Sequence, residues 1–209
     1  MNNLKQALVL GASGLVGLAL VRQLLADKRY ARVTCLLRRP LANSSSLSGD
    51  KKLEPIVIDF ERLQEYQGYF SQRHIYVCLG TTIKQAKSKA AFRKVDFEYV
   101  HVAAQLARDQ QAASFVWISS IGANAKSSSF YLKVKGELED AILAMPHLAN
   151  PSAVRPSLLL GQRHESRPAE SLGIMLSQFV APLMCGPLAK YRPVHVDDVA
   201  AQMISLQVF

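Results

Sequence analysis

Apolar positions along this chain come in two rhythms. Short continuous runs at residues 7–10 (ALVL), 32–37 (RVTCLL), 55–59 (PIVID), 74–79 (HIYVCL), 115–118 (FVWI) and 152–155 (SAVR) have the length of strands, several of them apolar enough to be buried on both faces. Between them lie stretches with apolar residues at helical spacing. Leu15, Val16, Leu18, Ala19 and Val21 predict a helix over residues 14–26. Val95, Tyr99, Val102 and Ala103 predict a long helix over 86–108, and a third covers 131–145. Strands separated by helices imply parallel β-α-β units with right-handed crossovers. The expected fold class is therefore α/β, a doubly wound parallel sheet with helices on both faces.

The Ser-rich stretch 41–50 reads as a loop, and no internal repeat or domain boundary is visible. At 209 residues the chain fits one domain, so residues 1–209 read as a single unit. After the sixth strand the rhythm fades. Residues 161–191 read as a small insertion that shapes a substrate pocket or a subunit contact. Inside it, residues 172–184 form an apolar, charge-free run, expected to pack into the body or into a homodimer interface. Pro182 breaks the run, which is also shorter than the ~20 apolar residues of a membrane span.

The glycine turn between the first strand and the first helix narrows this to a Rossmann-type fold. Gly11, Ala12, Ser13, Gly14, Leu15, Val16 and Gly17 stand where a dinucleotide fold places its phosphate loop. Gly11 permits the tight turn, Gly14 lets backbone approach a pyrophosphate, and Gly17 lets the helix pack closely on the sheet. The helix N-terminal amides then face the phosphates. The second strand ends Leu37-Arg38-Arg39-Pro40, without the acid that an NAD-preferring site places there for the ribose hydroxyls. Two guanidiniums suit a 2′-phosphate, so NADP(H) is the expected cofactor, with NAD(H) the alternative. Asp59 and Phe60, ending the third strand, are candidates to flank the adenine; the alternative for Asp59 is to cap the next helix.

Tyr131 and Lys135 stand four apart on a helix and share one face. An unperturbed phenol titrates near 10, and a neighbouring ammonium favours its charged form, bringing it closer to acid/base work at neutral pH. Just upstream, the fifth strand ends in Ser119 and Ser120, at the sheet edge where open α/β folds bind ligands.

Composition changes the picture less. The chain is 49% hydrophobic and 20% charged, ordinary for a soluble globular protein, and its net charge of +9 suits anionic partners. The basic stretch 84–94 has one aromatic residue, Phe92, and no recognition motif; it reads as a solvated helix start near the cofactor phosphates, not as a nucleic-acid site. Cys35, Cys78 and Cys185 are far apart, as in a reducing compartment, and the N-terminus runs straight into a strand; a cytoplasmic protein is expected. No metal site is expected: Asp197 and Asp198, after His195, point in different directions, and Asp197 reads as a helix cap. Nothing ranks His164 or Glu165 above surface residues.

The glycine turn, the Ser-Ser strand end and the Tyr131–Lys135 pair together resemble the short-chain dehydrogenase/reductase superfamily. GASGLVG at 11–17, CLGTT at 78–82, YLKVKGELE at 131–139, RPSLLLG at 155–161 and VHVDDVA at 194–200 are similar to its atypical branch, which contains the Tat-interactive oxidoreductase-like proteins and their bacterial relatives. The resemblance implies Tyr131 as acid/base, Lys135 as its partner and ribose anchor, and Ser120 (or Ser119) as hydrogen bonder to a substrate carbonyl. It also implies Leu79, Gly80 and Thr81 along the central ribose, and Pro156, Ser157 and Leu158 beside the nicotinamide. The implied activity is NADP(H)-dependent hydride transfer to or from a small carbonyl or alcohol substrate; the alternative is an NADP(H)-binding regulator or partner protein without turnover. Two departures stand out. Ser120 lies only eleven residues before Tyr131, and the helix over 86–108 lacks the asparagine that many members use in a proton relay.

Overall fold

The computed structural model describes residues 4–41, 47, 49–71, 73–160 and 192–208. The insertion at 161–191, with the run 172–184, His164, Glu165 and Cys185, lies outside the described residues.

Six strands form one parallel sheet: β1 (Lys5–Leu10), β2 (Tyr30–Leu37), β3 (Leu53–Val57), β4 (His74–Val77), β5 (Ser114–Ile118) and β6 (Pro151–Val154). Their order is β3-β2-β1-β4-β5-β6, the doubly wound order whose direction reverses between β1 and β4. The helices are α1 (Leu15–Ala26), α2 (Ile83–Ala86), α3 (Lys89–Arg93), α4 (Tyr99–Asp109), α5 (Phe130–Leu143) and α6 (Val196–Ser205). A short parallel pair, β7 (Leu159–Leu160) and β8 (Val194–His195), stands beside the sheet.

Side-chain alternation along β1 explains why its sequence is a continuous apolar run. Ala7 and Val9 join the layer that holds α1 and α6, while Leu8 and Leu10 join the layer that holds α4 and α5. Both layers are fully buried at the sheet, which fixes the strand ends as a rigid platform for the loops above them.

Two expectations are corrected. The helix expected over 86–108 is broken into α2, α3, a π-helical turn (Lys94–Glu98) and α4. Lys87 takes a left-handed conformation (φ 66°) that ends α2, and the Ser88 hydroxyl restarts the chain by accepting from the Ala91 amide at 3.0 Å. Second, α6 is capped by His195, whose Nδ1 accepts from the Asp197 amide at 3.4 Å; Asp197 lies in the first turn rather than at the cap. The helical segment that Asp59 caps is a kinked 3-10 stretch (Phe60–Phe70). Among the described residues no helix is long and apolar enough to cross a membrane.

Candidate functional site

Close packing at the end of β1 shapes the glycine turn. Gly11 has φ +85°, and a Cβ there would lie 2.6 Å from the Cys78 carbonyl group. A Cβ on Gly17 would lie 2.2 Å from the Gly11 carbonyl oxygen, so α1 can begin this close to the turn only with glycine. Gly14 is the N-cap of α1 and offers no side chain to its amides, and no acid stands in the first turn. Those amides are left for a ligand, with the positive end of the helix dipole behind them.

The turn opens on a cleft of about 1040 Å³ at the reversal point between β1 and β4. Gly11, Ser13, Gly14, Leu15 and Val16 line one part of it, with Arg38 and Phe60 beyond β2 and β3. Leu79, Gly80 and Thr81 line the middle. Ser119, Ser120, Tyr131, Lys135, Pro156 and Ser157 line the far part. Five expected residues are not on its wall. Ala12 is buried beneath the turn and Gly17 serves packing. Arg39 follows Arg38 and is not on the wall, Leu158 is 52% exposed, and the Asp59 carboxylate caps the 3-10 segment by accepting from the Glu61 amide at 2.9 Å.

In the far part, α5 presents Tyr131 and Lys135 to the cleft, and the Tyr131 ring packs 5.8 Å from that of Phe92 on α3. The Lys135 ammonium is buried and lies 2.8 Å from Oδ1 of Asp96, itself buried. The other Asp96 oxygen accepts from the Thr81 amide at 2.8 Å. Burial pushes the Asp96 carboxyl up, against the opposing pull of the Lys135 ammonium and the Thr81 amide. The two serines differ. Ser120 Oγ donates to the Ile121 carbonyl at 3.3 Å, whereas Ser119 Oγ is buried with no hydrogen-bond partner among the described residues. A buried hydroxyl costs stability unless a partner arrives, so Ser119 fits a site that a ligand completes. Cys78 also reaches the cleft, but burial pushes its thiol up to about 12, which keeps it protonated.

Asp96 was missed in the sequence. It stands on the same stripe as Phe92 and Val100, four residues to either side, and an acid on an apolar stripe is a visible signal. Thr82, Gln85 and Tyr99, also on the wall, carried no such signal.

The NAD(P)H-binding family model matches residues 11–157, the span that builds this cleft. Protein HTATIP2 of Rattus norvegicus is 37% identical over 169 residues, covering 80% of this chain and 68% of that protein. The protein FMP52-1, mitochondrial, of Scheffersomyces stipitis is 36% identical over 166 residues, covering 77% of this chain and 70% of its own. A short-chain type dehydrogenase/reductase from Mycobacterium ulcerans shares the fold at a TM-score of 0.74 and 21% identity, covering 98% of this chain and 83% of that one. The expectation of a cytoplasmic protein is corrected by these matches: FMP52 relatives are named as mitochondrial, so cysteine spacing and an N-terminal strand did not settle the compartment. By the family match and these relatives, the chain belongs to the NAD(P)H-binding family and is a relative of HTATIP2 and FMP52.

Proposed function

We propose that this protein is an NADP(H)-dependent oxidoreductase acting on a small carbonyl or alcohol substrate. One observation carries the reading: a single cleft holds the glycine turn and Arg38 at one end and Ser119, Tyr131 and Lys135 at the other. The Gly14 end of α1 would hold the pyrophosphate, and Arg38 the 2′-phosphate. The absence of an acid at the end of β2 supports NADP(H) over NAD(H). Leu79 to Thr81 would line the central ribose. Bound there, the cofactor supplies or accepts the hydride. In the reducing direction Tyr131 would give its phenolic proton to the carbonyl oxygen as charge develops on it. Ser119, with its unsatisfied hydroxyl, or Ser120 would hold that oxygen, and Lys135 would fix the ribose beside the phenol.

The test is NADPH oxidation in the presence of a panel of small aldehydes and ketones, with binding followed in parallel. Turnover with at least one carbonyl supports the reading. Tight NADPH binding with no turnover across the panel would make the protein a cofactor-binding regulator instead.

A further inference from the structure

We infer that Asp96 is a positioning residue that ties the cofactor loop at Thr81 to Lys135 and so holds the two halves of the cleft in one register. The inference rests on the proposed cofactor site. The two carboxylate oxygens face different groups, Oδ1 in an ion pair that lacks hydrogen-bond alignment and Oδ2 in a hydrogen bond. Oδ1 faces the Lys135 ammonium at 2.8 Å, and Oδ2 accepts from the Thr81 amide at 2.8 Å. Thr81 follows β4, in the loop that lines the middle of the cleft, whereas Lys135 belongs to α5, across β5. Asp96 is therefore the bridge between two elements that the chain does not join directly.

The backbone around Asp96 is shaped for this. Residues Lys94–Glu98 form a π-helical turn in which the Tyr99 amide bonds the Lys94 carbonyl five residues back. Such turns insert an extra residue into a helix and re-aim one side chain, and they recur at functional sites. Asp96 is the only residue of this turn that is buried. The basic residues beside it are paired elsewhere: Lys94 with Glu61 at 2.6 Å, and Arg93, just before the turn, with Glu137.

A carboxylate is required here, rather than any polar group. The two donors lie at different carboxylate oxygens, so asparagine, with one oxygen, could face the Thr81 amide or the Lys135 ammonium but not both. Its amide group would face either another donor or a cation. The pair also removes a charge problem, because an unpaired ammonium as buried as Lys135 is costly.

The consequence is local to the nicotinamide half. Ligands that touch only the glycine turn and Arg38 do not depend on this bridge, whereas ligands that span the cleft do. The experiment is calorimetric titration of wild type, Asp96→Asn, Lys135→Met and the double variant with NADPH and with adenosine 2′,5′-bisphosphate, alongside thermal melts. Asp96→Asn is expected to weaken NADPH about tenfold or more and to leave the bisphosphate within about twofold. Lys135→Met, which also removes the proposed ribose contact, is expected to weaken NADPH at least as much, and the double variant to be no weaker than Lys135→Met, since Asp96 acts through Lys135. The double variant is also expected to melt above Asp96→Asn, because it removes the unpaired ammonium. Equal weakening of both ligands would make Asp96 a general structural residue and overturn the inference, as would unchanged NADPH binding or strictly additive losses. Failure of the wild type to bind either ligand would instead overturn the cofactor reading, and this inference with it.

Discussion

Gly17 sits against Gly11 so closely that a methyl group on Gly17 would fall 2.2 Å from the Gly11 carbonyl oxygen. No flexible side chain can yield there, because the opposing atom is backbone. Gly17→Ala is therefore expected to push α1 off the turn, costing about 1–3 kcal/mol or more. Cofactor binding should fall further than stability, since the same shift misplaces the α1 amides. Thermal melts with an NADPH titration check this; a variant that melts and binds like wild type would show that the turn has slack.

Gly136, next to Lys135 on α5, makes the second such contact. A Cβ there would lie 2.2 Å from the Ala125 amide nitrogen, in the segment that runs from Ser120 to α5. Gly136→Ala is expected to displace that segment while leaving α5 helical, because alanine favours helix over glycine by about 1 kcal/mol. Hydrogen exchange should quicken around residues 121–129, including the Asn124 amide that bonds the Leu132 carbonyl at 3.1 Å. Unchanged exchange there would contradict the packing described.

A buried polar group at the opposite end of the sheet predicts a pH response. Tyr30 OH lies 2.8 Å from Nδ1 of His74 and 2.7 Å from Tyr76 OH, all three buried. Burial, reinforced by the positive charge of Lys5, lowers the His74 pKa from 6.5 to about 4. The unfolded chain thus binds a proton that the folded one refuses between those values. The contribution is complete above about 6.5 and is lost as pH falls towards 4, with a slope of at most about 1.4 kcal/mol per pH unit. Urea unfolding at stepped pH, against a His74→Asn variant, should show the extra slope in wild type only. Parallel profiles would contradict it.

Arg38 and Arg39 are expected to separate cleanly. Only Arg38 lines the cleft, so Arg38→Ala should weaken NADPH by about 1.5–3 kcal/mol and leave NADH nearly unchanged. Arg39→Ala should change neither by more than a few tenths of a kcal/mol. Equal wild-type affinity for NADPH and NADH would remove the basis for the NADP(H) preference.

Much of this was legible in the sequence, for identifiable reasons. Strands buried on both faces announce themselves as unbroken apolar runs, which is why β1 and β4 could be placed from Ala7–Leu10 and the run beginning at His74. The glycine turn and the Tyr131–Lys135 spacing are local, and the fold brought them to one cleft. Information held in three dimensions was not legible. Arg38 and Arg39 are chemically alike and adjacent, and only the backbone direction after β2 decides which one lines the cleft. The break at Lys87 carries no glycine or proline, so the helical pattern ran through it. Asp96 was not singled out: an acid on an apolar stripe is a local signal, but its partner Lys135 lies on another helix and no spacing rule connects them.

Binding and chemistry separate most sharply at Tyr131. With any carbonyl that wild type reduces, NADPH affinity and single-turnover rate are compared between wild type and Tyr131→Phe. The phenolic proton is needed only as charge develops on the substrate oxygen, so its loss should fall on the chemical step. NADPH affinity is expected to stay within about twofold of wild type, and the rate to fall by a factor of about 100 or more. A Tyr131→Phe protein that reduces the same carbonyl at the wild-type rate would contradict the catalytic role of Tyr131, and would leave the cleft a cofactor site whose chemistry lies elsewhere.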